Sequence, residues 1–473
     1  MTTNSSTRTE TDSLGTMQIA ASAYYGIHTA RAIDNFPISG RKLHHYRHLV
    51  NSIVEVKRAA ATSNLLLGKL SETKARAIVA ACDEIRGGAL HEHFVVDMVQ
   101  GGAGTSTNMN ANEVIANRAL ELLGHDRGEY LHLDPIDDVN NGQSTNDVYP
   151  TALKLASRRY IDELATAMEN LIAAMRDRSR AFEHIRKVGR TQLQDAVPMM
   201  LGAEFAAFGV TLHEEFARFD SVNGLLGEIN LGGTAIGTGV NSHPEYSRTV
   251  AGHLSELTGY RFAPAADLIE ATQDVGVFVL VSATLKRCAI KLSKICNDLR
   301  LLSSGPQHGL SEIRLPPVQA GSSIMPGKVN PVIPEMVNQV AYEIMGRDVT
   351  VSMAAEAGQL QLNAFEPVIA FSIFDSFEHL TAAMSVLAER CIRGIEANES
   401  ALAEQMERSI TVVTGLTPWI GYKRAAAIAV EALESGRRIE DIVRTRGFMS
   451  EAQLSQALGG TNSDATPNQV VAL

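Results

Sequence analysis

The sequence predicts an all-α protein whose centre is a bundle of long helices, and three observations predict it. Apolar residues recur at steps of three and four over stretches well beyond the usual helix of about 11–12 residues. No alternating strand pattern separates those stretches, which points to a bundle. Aromatics make up only 5% of the chain, and Trp419 is its one tryptophan, so the core is mostly Leu, Ile, Val, Ala and Met. Such side chains suit helices packed ridge into groove.

The elements follow in order. The amino-terminal "MTTNSSTRTETDSLG" is polar and acidic with no apolar signal core, so the chain is expected in the cytoplasm. From Leu153, apolar residues at Ala156, Tyr160, Leu164, Met168, Leu171 and Met175 mark one helical face. Phe205, Phe208, Leu212, Phe216 and Phe219 read as a second long helix. A third, Asp274 to Leu302, starts apolar nearly all round and is expected to be buried on every side. Further helices are expected from about Pro331 to Ala355 and from Pro367 to Ala397.

These runs divide the chain into an N-terminal helical domain (1–146), a central bundle (147–399) and a small C-terminal helical domain (400–473). Lateral apolar surface beyond what one chain can cover implies oligomerisation. "EALESGRRIEDIVRTRGFMSEAQL" (Glu431 to Leu454) has the look of a DNA-reading helix pair, but its charges are mixed and form no basic face. The tail "GGTNSDATPNQVVAL" reads as disordered.

Net charge of −11 and a pI near 5.7 argue against nucleic acid or an anionic membrane as partner. No apolar run of about 18 residues is present to span a bilayer. Cys82, Cys288, Cys296 and Cys391 have neither metal-ligand nor C-x-x-C spacing and read as buried thiols. The histidines His44, His45, His48, His91 and His93 show no recognisable ligand pattern, so neither a metal nor a cofactor is expected.

Four hydroxyl- and amide-rich loops, each expected to open a helix, carry the chemistry. "QGGAGTSTNMNANEV" offers Thr105, Ser106 and Thr107, and "NNGQSTNDVYPT" offers Ser144, Thr145 and Asn146. "VGRTQLQDAVPM" offers Arg190, Thr191 and Gln192. In "GSSIMPGKVNP" (Gly321 to Pro331), Asn330 reads as an N-cap before Pro331, with Pro334 as a competing mark of the first turn. This last loop is no phosphate cradle: five residues separate Gly321 from Gly327, Val329 follows Lys328 where a hydroxyl is needed, and no strand precedes it. Taken singly, each loop is explained as a cap or a turn. Four together, with Lys328 and Arg190 among them, describe a site for a small dicarboxylate held by helix N-termini and neutral donors.

These motifs resemble the aspartase/fumarase superfamily over nearly the whole chain, from "YYGIHTARAIDNF" to the C-terminal helices. "GSSIMPGKVNP" is similar to its signature loop, and "GRTQLQDAVPM", "KVNPVIPEMVNQV" and "AAEAGQLQLN" are closest to its ammonia-lyase branch. The resemblance implies reversible anti elimination of ammonia from L-aspartate to give fumarate. It also implies a homotetramer whose active sites draw loops from three subunits. The hard step is loss of a proton beside a carboxylate, which requires donors aimed at the enediolate that forms.

By that resemblance Ser322 is the general base, its alkoxide held by loop amides and by Lys328. Thr105, Ser144, Thr145 and the backbone around Ser323 would hold the enediolate carboxylate. Thr191, Lys328 and Asn330 would hold the other carboxylate, while Asn146 and Gln192 face the amino group. His28 and Arg31 lie in a family-like stretch and are assigned to substrate binding. Gln192 cannot deliver a proton; hydroxide needs one to leave, whereas an ammonium carries its own. That favours deamination over the family's hydratase activity. A non-catalytic scaffold protein is the other rival, and the presence of Ser322, Lys328 and Asn330 weighs against it.

Overall fold

The computed structural model describes residues 6–459, so residues 460–473 of the tail read as disordered lie outside it. Among the described residues are seventeen α-helices and four small two-stranded sheets. None of those helices is long and apolar enough to cross a membrane.

The longest helix, Thr145–Ala181, has 37 residues. Its predicted face is the one that packs: Leu153, Ala156, Tyr160, Leu164, Met168, Leu171 and Met175 are all buried. Helices Gly276–Leu302 and Val332–Glu356 run antiparallel. Ser282 near the start of the first donates to Asp348 near the end of the second, and Asn338 donates to Ser293 at 2.8 Å. Helix Glu366–Arg390 supplies Phe374 and Phe377, whose rings lie 5.2 and 5.6 Å from that of Tyr160.

Two expectations are corrected. The phenylalanine run is two helices, Leu201–His213 and Phe216–Leu225, because the chain turns between them to bury the Glu215 carboxylate beside Arg287. The start of Gly276–Leu302 is not enclosed within one chain, since Leu280 is 41% exposed and Ile290 is exposed further along. On Val332–Glu356, Tyr342, Val349 and Met353 fall on one exposed stripe.

The described residues form two compact units, each assembled from three separated stretches: 6–167, 214–290 and 339–382 in one, and 168–213, 291–338 and 383–459 in the other. The domains expected from the helical runs, 1–146, 147–399 and 400–473, are each one continuous stretch of sequence. In the first unit, helix Ile27–Asn35 begins without a cap of its own. Two buried glutamates from elsewhere take its leading amides. Glu113 accepts from the backbone N–H groups of Gly26, His28 and Thr29, and Glu10 accepts from Ile27. Any side chain at Gly26 would strike the Glu10 carboxylate, 2.5 Å from where its Cβ would stand.

Glu366 is buried in the same unit, and burial pushes its carboxyl up to about 8 against partial relief from Lys154. A glutamate in the unfolded chain ionises near 4.5, so across the window from 4.5 to about 8 the folded protein keeps a proton the unfolded chain has lost. Stability therefore falls as pH rises through that window. Glu366→Gln should flatten the decline, which is expected to be on the order of a few kcal/mol. Urea unfolding midpoints at mildly acidic and mildly alkaline pH check it; equal pH slopes for both proteins would refute the burial effect.

Candidate active site

In the first loop, Gly102 and Gly104 both have φ near 88° and turn the chain into helix Thr105–Leu122. Glycine is obligatory at 104, since a Cβ there would lie 2.5 Å from the Tyr149 ring. Thr105 is exposed, with its hydroxyl donating to the Gly102 carbonyl at 2.7 Å.

The second loop is the most tightly organised. Ser144 Oγ accepts from Asn146 N at 3.2 Å, and Asp147 Oδ1 accepts from Ser144 N at 3.0 Å, a reciprocal cap on helix Thr145–Ala181. The other carboxylate oxygen of Asp147 accepts from Gly232 N at 3.0 Å and Thr234 N at 2.9 Å, fastening a second loop to the first. Pro150 has no N–H for the Asn146 carbonyl four residues back. Asn230 Nδ2 fills the gap at 2.9 Å, and the Asn146 amide donates in turn to the Ala235 carbonyl at 2.7 Å.

Below lies a buried polar cluster. Lys57 Nζ donates to Asn140 Oδ1 at 2.7 Å and to Gln143 Oε1 at 3.0 Å. Asn108 Nδ2 bridges Asn140 and Thr145 Oγ1 at 3.1 Å each. Burial raises the Asp147 carboxyl to about 6, opposed by its three backbone donors. Burial lowers the Lys57 ammonium to about 7. Ser144 and Thr145 thus both accept from protein donors. Among the described residues neither hydroxyl gives its own hydrogen to a protein acceptor, so both remain free to donate to an anion. The loop lines a cleft of about 440 Å³ with Asp137, Asn141, Thr234 and Asn241.

The third loop does not open a helix directly. Thr191 and Gln192 lie at the tip of a hairpin of strands Arg186–Thr191 and Gln194–Met200, in which Thr191 pairs with Gln194. The two-residue turn needs positive φ twice, and Gln192 (54°) and Leu193 (62°) supply it without glycine or asparagine. Non-glycine residues held there carry strain of about 1–3 kcal/mol each, the kind retained at functional sites. Arg190 is not free for an anion: it is bound to the buried Glu312 and donates to Gln405 at 3.2 Å.

The fourth loop is pinned at its base. Gly321 N donates to the Lys328 carbonyl at 3.0 Å, and Asn330 Nδ2 donates to the Gly321 carbonyl at 2.7 Å. Asn330 is therefore a loop clasp and not the expected N-cap; the helix starts at Val332, which puts Pro334 in its first turn. Ser322 Oγ accepts from Ile324 N at 3.1 Å and Met325 N at 2.9 Å. Ser323 and Lys328 are exposed.

His28 and Arg31 are engaged internally. His28 Nδ1 lies 3.1 Å from Glu113, which raises the imidazole's pKa. Arg31 grips Asp12 through two bonds of 2.8 Å and holds that carboxyl down to about 2. These two share the first unit with Thr105, Ser144, Thr145 and Asn146; Thr191, Gln192, Ser322, Ser323, Lys328 and Asn330 belong to the second.

Sequence reasoning missed Asp147, Lys57 and Asn230. The S-x-x-D spacing before a helical run was the available signal for Asp147. It also passed over His125, Glu129 and His132, the one metal-ligand group found among the described residues. Asp147→Asn leaves one carbonyl oxygen where two oxygens serve three amides. Faster hydrogen exchange at Ser144, Gly232 and Thr234 is expected, with a stability loss of about 1–3 kcal/mol; unchanged exchange would show that Asp147 does not clamp the loops.

The chain is similar to known lyases along most of its length. A family model described as "Lyase" matches residues 15–346, and one described as "Fumarase C C-terminus" matches 412–459. An aspartate ammonia-lyase of Pseudomonas canavaninivorans is 56% identical over 98% of both chains. That of Escherichia coli is 50% identical over 96% of this chain and 95% of its own. Among solved structures, a fumarate lyase:delta crystallin from Brucella melitensis bound to cobalt is 54% identical, covers 96% of this chain and 98% of its own, and superposes with a TM-score of 0.94. A class II fumarase from Schistosoma mansoni is 34% identical over 96% of this chain and 98% of its own, with a TM-score of 0.91. With loops, helices and relatives in agreement, the chain belongs to the aspartase/fumarase superfamily of lyases.

Proposed function

We propose that this lyase deaminates L-aspartate reversibly to fumarate and ammonia, with Ser322 as general base. The observation that carries the mechanism is the pair of loop amides, Ile324 N and Met325 N, directed at Ser322 Oγ. Two backbone donors on one hydroxyl oxygen favour its alkoxide, as an oxyanion hole favours a developing charge. Lys328, in the same loop, adds a positive charge when the loop closes on substrate. The alkoxide removes a proton from C3, and the electron pair passes into the adjacent carboxylate to form an enediolate. Its collapse makes the C2–C3 double bond and expels the ammonium nitrogen as ammonia.

Ser144 and Thr145, with hydrogens to spare, donate to the enediolate oxygens together with the backbone at Ser323, and Thr105 joins them by turning its hydroxyl away from the Gly102 carbonyl. Thr191, Lys328 and Asn330 hold the second carboxylate, and Asn146 and Gln192 receive the amino group. Gln192 supports deamination because a neutral carboxamide has no proton for a departing hydroxide. The exposed stripe of Tyr342, Val349 and Met353, with Leu280 and Ile290, supports assembly into a homotetramer. In such an assembly the two sets of loops meet at sites shared among three subunits.

Fumarate formation followed by ultraviolet absorbance should be fast from L-aspartate and absent or far slower from L-malate; the reverse ratio would reassign the enzyme as a hydratase. Ser322→Ala should reduce kcat by at least about a thousandfold, the order seen when a nucleophile or base of an activated set is removed. Its sedimentation should match that of the parent protein, and a comparable kcat would overturn the base assignment.

A further inference from the structure

We propose that His125, Glu129 and His132 form a binding site for a divalent ion of the zinc class, outside the catalytic loops. The three ligand atoms lie within 4.8 Å of one another. All three residues belong to the single loop that follows helix Thr105–Leu122. The His125 and His132 rings stand face to face, centroids 3.8 Å apart and 8° from parallel. The nearest Glu129 oxygen is 3.5 Å from His125 Nδ1.

The loop backbone is already ordered for this arrangement. His125 N donates to the Leu120 carbonyl, Glu129 N to that of Asp126, and His132 N to that of Glu129. Gly128 takes φ 89°, and its N–H donates to Asn117 Oδ1 at 2.8 Å. Glu129 Oε2, the oxygen nearest His125, also accepts from Asp126 N at 3.1 Å, and its second lone pair and Oε1 stay available to an ion. Little chain entropy is lost on binding, because the ligands are only four and three residues apart.

Imidazole and carboxylate ligands bind zinc at about 2.0–2.2 Å, which sets them about 3.3–3.6 Å apart around a tetrahedral ion. The cluster reaches that spacing by rotating exposed side chains: Glu129 and His132 are exposed and His125 is partly so. The ion would rotate one ring out of the stack, so that both nitrogens face it, and water would complete the shell. Two imidazoles and one carboxylate favour zinc, cobalt, nickel or copper over magnesium and calcium, which prefer all-oxygen shells. Bound there, the ion would clip the two ends of the loop. That loop runs directly into Asp134, whose carboxylate caps the turn Pro135–Val139 ahead of Asn140 and Ser144.

The test uses the full-length, tag-free protein and equilibrium dialysis against Zn2+, with Co2+ as spectroscopic probe. About one Zn2+ per chain should be lost in a His125→Ala/His132→Ala variant, and Glu129→Gln should weaken that equivalent by at least about tenfold. Co2+ should give visible d–d bands that the double variant lacks, and Mg2+ should not displace it. Zn2+ should also slow hydrogen exchange across residues 124–134 in the parent protein and leave the double variant unchanged. Identical Zn2+ stoichiometry and affinity in parent and double variant would overturn the proposal, as would displacement of Co2+ by Mg2+.

Discussion

Asp147 keeps a carboxylate fully buried, and it can do so only because three backbone amides converge on it. Those amides come from two loops, Ser144 on one side and Gly232 and Thr234 on the other. Ionising a buried acid is unfavourable unless its oxygens are satisfied, so the acid and the loop conformation are mutually dependent. Most of the second loop's geometry descends from this. Ser144 caps the helix, Asn146 is locked to Ala235, and the carbonyl orphaned by Pro150 is met by Asn230. Lys57 and the asparagines beneath continue the network to Thr145, so the hydroxyl hydrogens face outward by default.

The fourth loop solves a different problem by related means. Its two ends are tied through Gly321, Lys328 and Asn330, while Ser323 to Val329 stay exposed. A tied base with a free tip lets the segment move as a unit without losing the amides that face Ser322. The hairpin tip bearing Gln192 is held rigidly instead, in a turn that its own residue types disfavour. Strain of that kind persists where the surrounding structure over-determines a conformation, here through the buried Glu312 that grips Arg190 and Lys187.

Much of this was legible in the sequence, and particular residues show why. The face from Leu153 to Met175 was readable because burial on one side of a long helix imposes its period directly. The loop Gly321 to Pro331 stood out because glycine, hydroxyl, lysine and asparagine together suit neither a plain turn nor a nucleotide cradle. The break at Glu214–Glu215 was not readable: it depends on Arg287, some seventy residues away, burying a carboxylate. Arg190 looked like an anion ligand because its partner, Glu312, is 122 residues away in sequence. The Asn330 side chain serves Gly321, nine residues back, where local capping rules do not look.

Glu10 gives the amino-terminal hairpin, in which strand Thr7–Asp12 pairs antiparallel with Gly15–Ala20, a role its composition conceals. Its carboxylate reaches Ile27 N at 2.8 Å, receives the Tyr130 hydroxyl at 3.1 Å and pairs with Arg8, whose guanidinium in turn bonds the carbonyls of Ala23 and Tyr25. The stretch holding Arg8 and Glu10 is therefore a fastening and not a loose end. A truncation trimmed back to the first helix would leave that helix with an open amide and a tyrosine with no acid to face. Shortened versions of this protein should keep everything from Arg8 onward.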